Sequence, residues 1–247
     1  MKPATRNSTA RRALDLALVA LMLPFALAAG ILIAIAIVLD SPGPVLFHSR
    51  RVGRDGVPFA MLKFRTMRHP GSGPRISRKG DERHTPLGRL LASTRIDELP
   101  QLWNVIKGEM ALVGPRPEVG EFVAAQSEAY ERILKVRPGL TGPTQLEFAD
   151  EGRLLAEAPD AVRTYLDDVL PLKVYLDLQY VEANSLRGDL AAILLTLWLP
   201  MRKGAQAALA AIRDRTESPR EPLQLALVYV GALVLLVAFA AQGASGL

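Results

Sequence analysis

Two adjacent acidic residues, Asp97 and Glu98, stand in the stretch RIDELPQLWNV (95–105), and Pro100 follows two residues later. Paired carboxylates among arginines suit phosphate chemistry: a carboxylate can hold a divalent cation against a diphosphate, or attack phosphorus and form an acyl phosphate. A structural role fits the same residues. Because Pro100 suits the first turn of a helix, Asp97 is also a candidate N-cap and Glu98 a candidate partner of the helix dipole, each stabilising by roughly 0.5–1 kcal/mol.

Short motifs around this pair place basic residues next to glycine or proline. Arginines held on such turns form rigid forks that bind phosphate through two hydrogen bonds, and a nearby helix N-terminus strengthens an anion site. Lys63 and Arg65 are two residues apart on a predicted strand, so their side chains would share one face. That face either binds phosphate or is exposed to solvent. The candidate phosphate- or nucleotide-binding residues are Lys63, Arg65, Arg95, Arg116, Arg137 and Gln145.

The composition narrows the classes of partner. The chain carries 30 Lys and Arg against 25 Asp and Glu, which favours anionic partners such as phosphates, nucleic acid or lipid headgroups. Aromatic residues make up only 6% and few lie among the basic clusters, so we expect no nucleic-acid partner. The chain contains no cysteine, which excludes disulfides and thiolate metal sites, and its three histidines lack metal-binding spacing.

A long uncharged segment precedes these motifs. Residues 16–39 contain no charged side chain, and a helix of that length is about 36 Å long, enough to cross a bilayer. Pro24 interrupts the run, and basic residues flank it on both sides, which favours placing both ends in the cytoplasm. A re-entrant helix that bends at Pro24 and a kinked spanning helix both remain consistent with the sequence.

The remaining pattern predicts an α/β protein of the α+β type that is mostly helical. Strands at 45–52 and 57–67 form a hairpin, residues 68–85 form a long loop, and helices cover 86–95, 99–107, 117–135 and 160–186. The apolar segment 188–201 is either an interfacial amphipathic helix or a core helix. We predict four segments: a basic N-terminus with the membrane helix (1–43), a catalytic domain (44–203), a basic linker (204–221) and a transmembrane helix (222–247).

Three motifs carry a resemblance to a known family. KFRTM, the run DELPQLWNVIKGEMALVGPRPE (97–118) and RPGLTGPTQ (137–145) resemble the bacterial sugar transferases, which are small monotopic phosphoglycosyl transferases. The resemblance covers roughly residues 10–203. It implies a re-entrant helix with a break at Pro24 in the bacterial inner membrane, and a small catalytic domain with interfacial helices on the cytoplasmic side.

The resemblance also implies a reaction. A sugar 1-phosphate passes from a UDP-sugar to undecaprenyl phosphate, UMP leaves, and glycan assembly for exopolysaccharide, capsule, O-antigen or glycoprotein begins, with downstream glycosyltransferases as candidate partners. Asp97 matches the nucleophile that forms a covalent phosphosugar intermediate, and Glu98 matches its partner, implicated in activating the lipid phosphate. Mg²⁺ is expected at Asp97, and Arg116 matches the phosphate-binding arginine of the PRP motif.

Departures from the family pattern are confined to a few positions. Leu23 stands where a serine often precedes the helix-breaking proline, Ala92 stands where an arginine is common, and TGPTQ replaces TGWAQ. Two alternatives to the covalent mechanism remain. The same substrates react in a ternary complex in which Asp97 only holds Mg²⁺, or the chain is a non-catalytic membrane scaffold of a glycan-assembly complex.

Overall fold

The structure describes most of the chain between residues 9 and 196. The computed structural model describes residues 9–68, 81–149, 151–156, 158–183 and 186–196, which belong to one compact unit ending at Thr196. The predicted linker and C-terminal helix, the end of the 188–201 helix and most of the predicted loop 68–85 lie outside the described residues.

The described elements confirm a mostly helical protein with two small sheets. In chain order they are α1 (Thr9–Asp40), β1 (Leu46–Val52), β2 (Pro58–Phe64), α2 (Pro86–Thr94), α3 (Gln101–Lys107), β3 (Ala111–Val113), α4 (Gly120–Ala125), α5 (Ser127–Ile133), β4 (Gly139–Thr141), α6 (Pro143–Glu147), α7 (Glu151–Ala156), α8 (Ala161–Thr164) and α9 (Leu170–Ala183). A π-helical turn at Tyr165–Val169 joins α8 to α9, and residues 186–196 are again helical.

Helix α1 is long and apolar enough to cross a membrane by its length and composition. It stays helical through Pro24, so the structure does not confirm a break there. Most of its large apolar side chains are exposed, with Leu39 at 82% and Leu32 at 69% exposed, whereas Val19 and Ile37 are buried against the rest of the unit. Helix α1 therefore rests on the same body at Val19 and at Ile37, while most of its apolar surface is exposed.

The predicted hairpin is confirmed. Strands β1 and β2 pair antiparallel from Leu46 opposite Phe64 to Val52 opposite Pro58. The turn between them contains two residues with positive φ, Asp55 at 57° and Gly56 at 78°, which suits the glycine and aspartate of the GRDG sequence. Side chains alternate along β2, so Lys63, near the end of the strand, lies on the face that packs against the core.

Strands β3 and β4 form a parallel pair, with Ala111 opposite Gly139 and Val113 opposite Thr141. Their backbones approach so closely that a Cβ atom on Gly139 would lie 2.0 Å from the Gly114 nitrogen, which only glycine allows. The segments GPRPE and GPTQ follow the carboxyl ends of these two strands. Because parallel strands bring their carboxyl ends to one edge, both segments meet at the same place.

The later helices differ from the prediction in two respects. Residues 143–147 and 151–156, for which no helix was predicted, form α6 and α7. The segment 117–135 forms two helices, α4 and α5, because Gln126 leaves the helical conformation between them (φ −132°, ψ 41°). From residue 161 to Ala183 the chain stays helical, as the pattern predicted, and packs against α5 around Tyr130, Tyr165 and Leu170.

Candidate active site

The acid pair lies in a tight turn between two helices. Asp97 and Glu98 belong to a 3₁₀ turn that starts after Arg95, a residue with left-handed backbone (φ 58°), and they are only 7% and 8% exposed. Helix α3 begins after Pro100 and has no side-chain cap. The N-cap interpretation of Asp97 is therefore wrong, because the turn points both carboxylates into the unit rather than at the helix start.

Lys63 and Arg116 neutralise this pair unequally. The Lys63 ammonium lies 2.7 Å from a Glu98 oxygen and 3.8 Å from an Asp97 oxygen, and the Arg116 guanidinium lies 3.3 Å from Glu98. Among the described residues, none donates a hydrogen bond to the Asp97 carboxylate. Glu98 is thus anchored by two cations, whereas Asp97 keeps its oxygens available to a ligand.

The same geometry separates the pKa values of the two acids. Burial raises the pKa of Asp97 to about 6, although the charge of Lys63 opposes this shift. Burial also opposes ionisation of Glu98, but the charges of Lys63 and Arg116 outweigh it and hold its pKa below the usual range. Glu98 is consequently a fixed negative charge, and Asp97 is the more basic carboxylate of the two.

A buried asparagine fixes Lys63 relative to the acids. The Asn104 side chain in α3 accepts a hydrogen bond from the Leu62 amide at 3.0 Å and donates one to the Ala60 carbonyl at 2.8 Å. Asn104 is fully buried, so it joins β2, which carries Lys63, to α3, the helix that follows the acid pair. Asn104 was not predicted, since an asparagine inside a short helix carries no distinctive signal.

The acid pair opens into a cavity of about 400 Å³. Four of the predicted phosphate- or nucleotide-binding residues also line it, namely Lys63, Arg95, Arg116 and Gln145. The Arg95 guanidinium donates to the Gln145 carbonyl at 3.0 Å, which joins the turn after α2 to α6. The side-chain oxygen of Gln145 is buried without a hydrogen-bond partner among the described residues, so it can accept a hydrogen bond from a ligand.

The structure places two other predicted residues elsewhere. Arg65 is 3% exposed and donates to the Ser41 and Pro42 carbonyls at 2.5 and 2.7 Å, so it holds the chain after α1 instead of lining the cavity. Arg137 donates to the Gly108 carbonyl at 3.0 Å and borders a separate small cavity. Pro24 lies within α1, away from the acid pair in sequence and outside the residues that line the large cavity.

A second polar wall of the cavity was not predicted. We call it the Lys173 wall; it consists of Arg51, Glu118, Glu151, Tyr165 and Lys173. The Lys173 ammonium lies 2.6 Å from Glu151, 3.1 Å from the Tyr165 hydroxyl and 3.5 Å from Glu118. Lys173 stands among apolar residues at the start of α9. This lysine in an apolar pattern is the sequence signal from which a buried polar role could have been predicted.

One turn further along α9, Asp177 supports the two loops that reach the cavity. It accepts hydrogen bonds from the Thr144 hydroxyl and from the backbone amide of Arg116. Asp177 is 1% exposed, and burial raises its pKa to about 7. The segments that follow β3 and β4 are therefore joined through a single buried carboxyl group.

The chain is similar in sequence to known proteins. Residues 6–203 match the family model described as bacterial sugar transferase. The chain belongs to this family. The matched region contains the acid pair, the cavity residues named above and the Lys173 wall, so the whole site lies within the part of the chain that defines the family.

Three relatives are 33–37% identical to the chain over the aligned residues. The UDP-glucose:undecaprenyl-phosphate glucose-1-phosphate transferase of Caulobacter vibrioides is 37% identical over 192 residues, which cover 76% of the chain and 68% of the relative. The exopolysaccharide production protein ExoY of Sinorhizobium fredii is 34% identical over 80% of the chain and 96% of its own length. An Aeromonas hydrophila UDP-N-acetylgalactosamine-undecaprenyl-phosphate N-acetylgalactosaminephosphotransferase is 33% identical, but the alignment spans only 42% of it.

Proposed function

We propose that the protein transfers a sugar 1-phosphate from a UDP-sugar to undecaprenyl phosphate and releases UMP. The observation that carries this proposal is the Asp97 carboxylate, which is buried, faces the cavity and lacks a hydrogen-bond donor among the described residues. Lys63 lies beside it, and Arg116 lies beside the adjacent Glu98. The names of the Caulobacter and Aeromonas relatives give these substrate classes, with different sugars. As a member of a transferase family, the chain is an enzyme rather than a scaffold.

The proposed chemistry has two displacements at phosphorus. An Asp97 oxygen attacks the β-phosphorus of the UDP-sugar, the bond from that phosphorus to the bridging oxygen breaks, and UMP leaves with the electron pair. An oxygen of undecaprenyl phosphate then attacks the same phosphorus, and the Asp97 carboxylate is released. The raised pKa of Asp97 supports its role as the nucleophile, because a more basic carboxylate that is free of hydrogen bonds is more reactive.

The cations beside the pair supply the charge that such displacements need. Lys63 and Arg116 bind Glu98 at the edge of the cavity, where they can bind phosphate oxygens instead. Arg95 and Gln145 line the same cavity. Glu98 has a pKa below the usual range, so it accepts a proton poorly while its ion pairs persist. We therefore assign Glu98 the task of keeping Lys63 and Arg116 in position rather than that of a base in the ligand-free state.

The site also fits a magnesium ion. Among the described residues, no group of three or more His, Cys, Asp or Glu side chains could form a complete metal cage. Mg²⁺ in phosphoryl-transfer sites needs no such cage, since one or two carboxylates, substrate phosphates and water complete its shell. Asp97 would hold the ion, which would neutralise charge on the transferring phosphate.

The placement of α1 supports a re-entrant helix rather than a spanning one. Near its start, Arg12 donates to the Val105 and Ile106 carbonyls at 2.6 and 2.9 Å, and near its end Ile37 packs against Phe64. A spanning helix places its ends about 30 Å apart across the hydrocarbon core, so both cannot touch one small body on one side. We propose that α1 enters and leaves the cytoplasmic leaflet of the bacterial inner membrane.

Exposed apolar side chains on other elements support an interfacial position for the catalytic unit. Trp103 in α3 is 55% exposed, and in the 186–196 helix Leu190 and Leu194 are 55% and 58% exposed while Ala192 is buried. Tryptophan and leucine at such positions favour the boundary between headgroups and acyl chains. We therefore propose that this unit lies on the cytoplasmic surface of the membrane, where it meets a lipid phosphate acceptor.

The decisive experiment is the intact mass of the protein in nanodiscs after incubation with Mg²⁺ and each of several UDP-sugars, without lipid acceptor. We expect a gain of one sugar phosphate with the accepted donor, together with release of one UMP per protein. Asp97→Asn should show no gain. Asp167→Asn, an equivalent change at an exposed residue paired with Arg163, should show the same gain as the wild type.

Two results would contradict parts of the proposal. UMP release only after lipid phosphate is added, with no covalent adduct under any condition, would replace the covalent route with a ternary complex. Full activity of Asp97→Asn, or no reaction with any UDP-sugar and lipid phosphate together, would overturn the proposed function.

A further inference from the structure

The large cavity has two walls with different electrostatic character. Around the acid pair, the cations Lys63, Arg95 and Arg116 outnumber the two carboxylates by one charge, before any ligand binds. In the Lys173 wall, the cations Arg51 and Lys173 are balanced by the carboxylates Glu118 and Glu151. The first wall suits an anion such as a diphosphate, whereas the second suits a neutral group rich in hydrogen-bonding atoms.

The contacts within the Lys173 wall fix its polar atoms in place. The Tyr165 hydroxyl donates to Glu118 at 2.8 Å and accepts from Lys173, whose ammonium also lies 4.7 Å above the Tyr165 ring. Arg51 pairs with the other Glu118 oxygen at 3.4 Å. Because Glu118, Tyr165 and Lys173 are nearly fully buried and mutually bonded, the wall is rigid before a ligand arrives.

Glu151 is the member of this wall that remains available to a ligand. One of its oxygens holds Lys173 at 2.6 Å, and no described residue donates to the other. Its side chain is 24% exposed and lines the cavity. Phe148 also lines the cavity and offers an apolar ring near Lys173. A free carboxylate oxygen beside an aromatic ring is suited to hydroxyl groups and the C–H face of a sugar ring.

The position of Arg116 connects the two walls. Burial lowers its pKa, but the charges of Glu98, Glu118 and Glu151 outweigh burial and raise the pKa above the ordinary value, so Arg116 faces carboxylates of both walls. In the proposed displacement, UMP departs in line with and opposite to Asp97, while the sugar oxygen stays equatorial on phosphorus. With the phosphate held by Lys63 and Arg116, the sugar substituent lies to the side of the reaction axis and can extend towards the wall that contains Glu118 and Glu151.

We propose that the Lys173 wall is the subsite for the hexose of the donor, and that Glu151 accepts hydrogen bonds from its hydroxyl groups. This inference rests on the proposed function and deepens it, because it names the residues that choose among UDP-sugars. A site that hydrogen-bonds a specific hydroxyl discriminates strongly against a donor that orients that hydroxyl differently. Glucose and galactose differ only in the orientation of one hydroxyl, so their UDP derivatives report directly on such contacts.

The test compares donor selectivity in the membrane-embedded full chain. Wild type, Glu151→Gln and Tyr165→Phe are assayed for kcat/KM with UDP-glucose, UDP-galactose and the two UDP-N-acetylhexosamines, and for inhibition by UMP. We expect each variant to change the ratio between at least two donors by about tenfold, while the inhibition constant of UMP stays within about twofold. Glu182→Gln, at an exposed ion pair with Arg132, is the matched control and should leave every ratio unchanged.

The outcomes separate this inference from the proposed function. Wild-type turnover combined with equal losses for all donors in both variants, and unchanged ratios, would overturn the hexose subsite alone. A parallel rise in the inhibition constant of UMP would also overturn it, because the wall would then hold the nucleoside. No wild-type turnover with any donor would overturn the proposed function itself. Tyr165→Phe keeps the ring and its packing, so it decides the matter if Glu151→Gln fails to fold.

Discussion

The Lys63 ammonium lies 2.7 Å from Glu98 and 3.8 Å from Asp97, so one cation serves two adjacent buried carboxylates. The shorter contact keeps Glu98 in its charged form. The longer contact lowers the pKa of Asp97, but burial raises that pKa by more. Because of this asymmetry, two adjacent carboxylates have different pKa values. It depends on the position of a lysine 34 residues before Asp97 in the chain, on a strand of the hairpin.

Replacement of Lys63 tests this asymmetry. We expect Lys63→Met to lower kcat/KM for UMP release by about 100-fold, because it removes a preorganised cation from the transferring phosphate. It should also raise the pKa of Asp97 above about 6, since the charge of Lys63 now lowers it, and so move the acid limb of the pH–rate profile to higher pH. Arg163→Met, at an exposed pair with Asp167, should change neither quantity.

The asparagine that joins β2 to α3 predicts a loss of stability. Asn104→Ala would leave the Leu62 amide and the Ala60 carbonyl without partners in the buried interior, so we expect a loss of about 2–4 kcal/mol. Thermal unfolding in detergent should show a melting temperature lower by roughly 5–10 °C. Gln179→Ala removes an exposed side-chain hydrogen bond to Tyr175 and serves as the control. Equal melting temperatures for the two variants would contradict this role.

Local signals predicted the hairpin and several of the residues that line the cavity. The GRDG turn and the alternation of β2 depend on a few neighbouring residues. Separate motifs pointed to Arg116, Lys63 and Gln145 as phosphate- or nucleotide-binding residues, and all three line the cavity. Arg65 was misplaced because alternation along a strand applies only while the strand continues. Strand β2 ends at Phe64, and the chain beyond it turns the arginine towards α1.

Arg137 and the Lys173 wall show what local patterns could not provide. Arg137 precedes β4 and Gln145 follows it, so the strand separates them, and only the residue after its carboxyl end reaches the cavity. The Lys173 wall joins residues from β1, the segment after β3, α7, the π-helical turn and the start of α9. Such a group depends on how helices pack in three dimensions, and a single sequence contains no pattern that specifies it.

The two anchored ends of α1 predict a labelling pattern. The chain has no cysteine, so Ala10→Cys and Asp40→Cys each introduce one reactive thiol at an exposed position at either end of the helix. We expect a membrane-impermeant maleimide to label both variants in inverted inner-membrane vesicles and neither in spheroplasts. Val57→Cys, in the exposed hairpin turn, marks the side of the catalytic unit. Labelling of one α1 variant from outside the spheroplasts would instead require a spanning helix.

The buried carboxyl of Asp177 predicts how stability depends on pH. Burial raises its pKa from 3.8 to about 7, against the hydrogen bond from Thr144, so the folded protein keeps a proton there that the unfolded chain loses near pH 4. The folded state then binds more protons than the unfolded state between about pH 4 and pH 7, and the stability from this group is lost as the pH rises through that window. Asp177→Asn cannot titrate, so its melting temperature should fall less than that of the wild type between pH 5 and pH 8. Thermal unfolding of both proteins across this range measures the difference, and identical slopes would show that Asp177 is already ionised in the folded protein at pH 5.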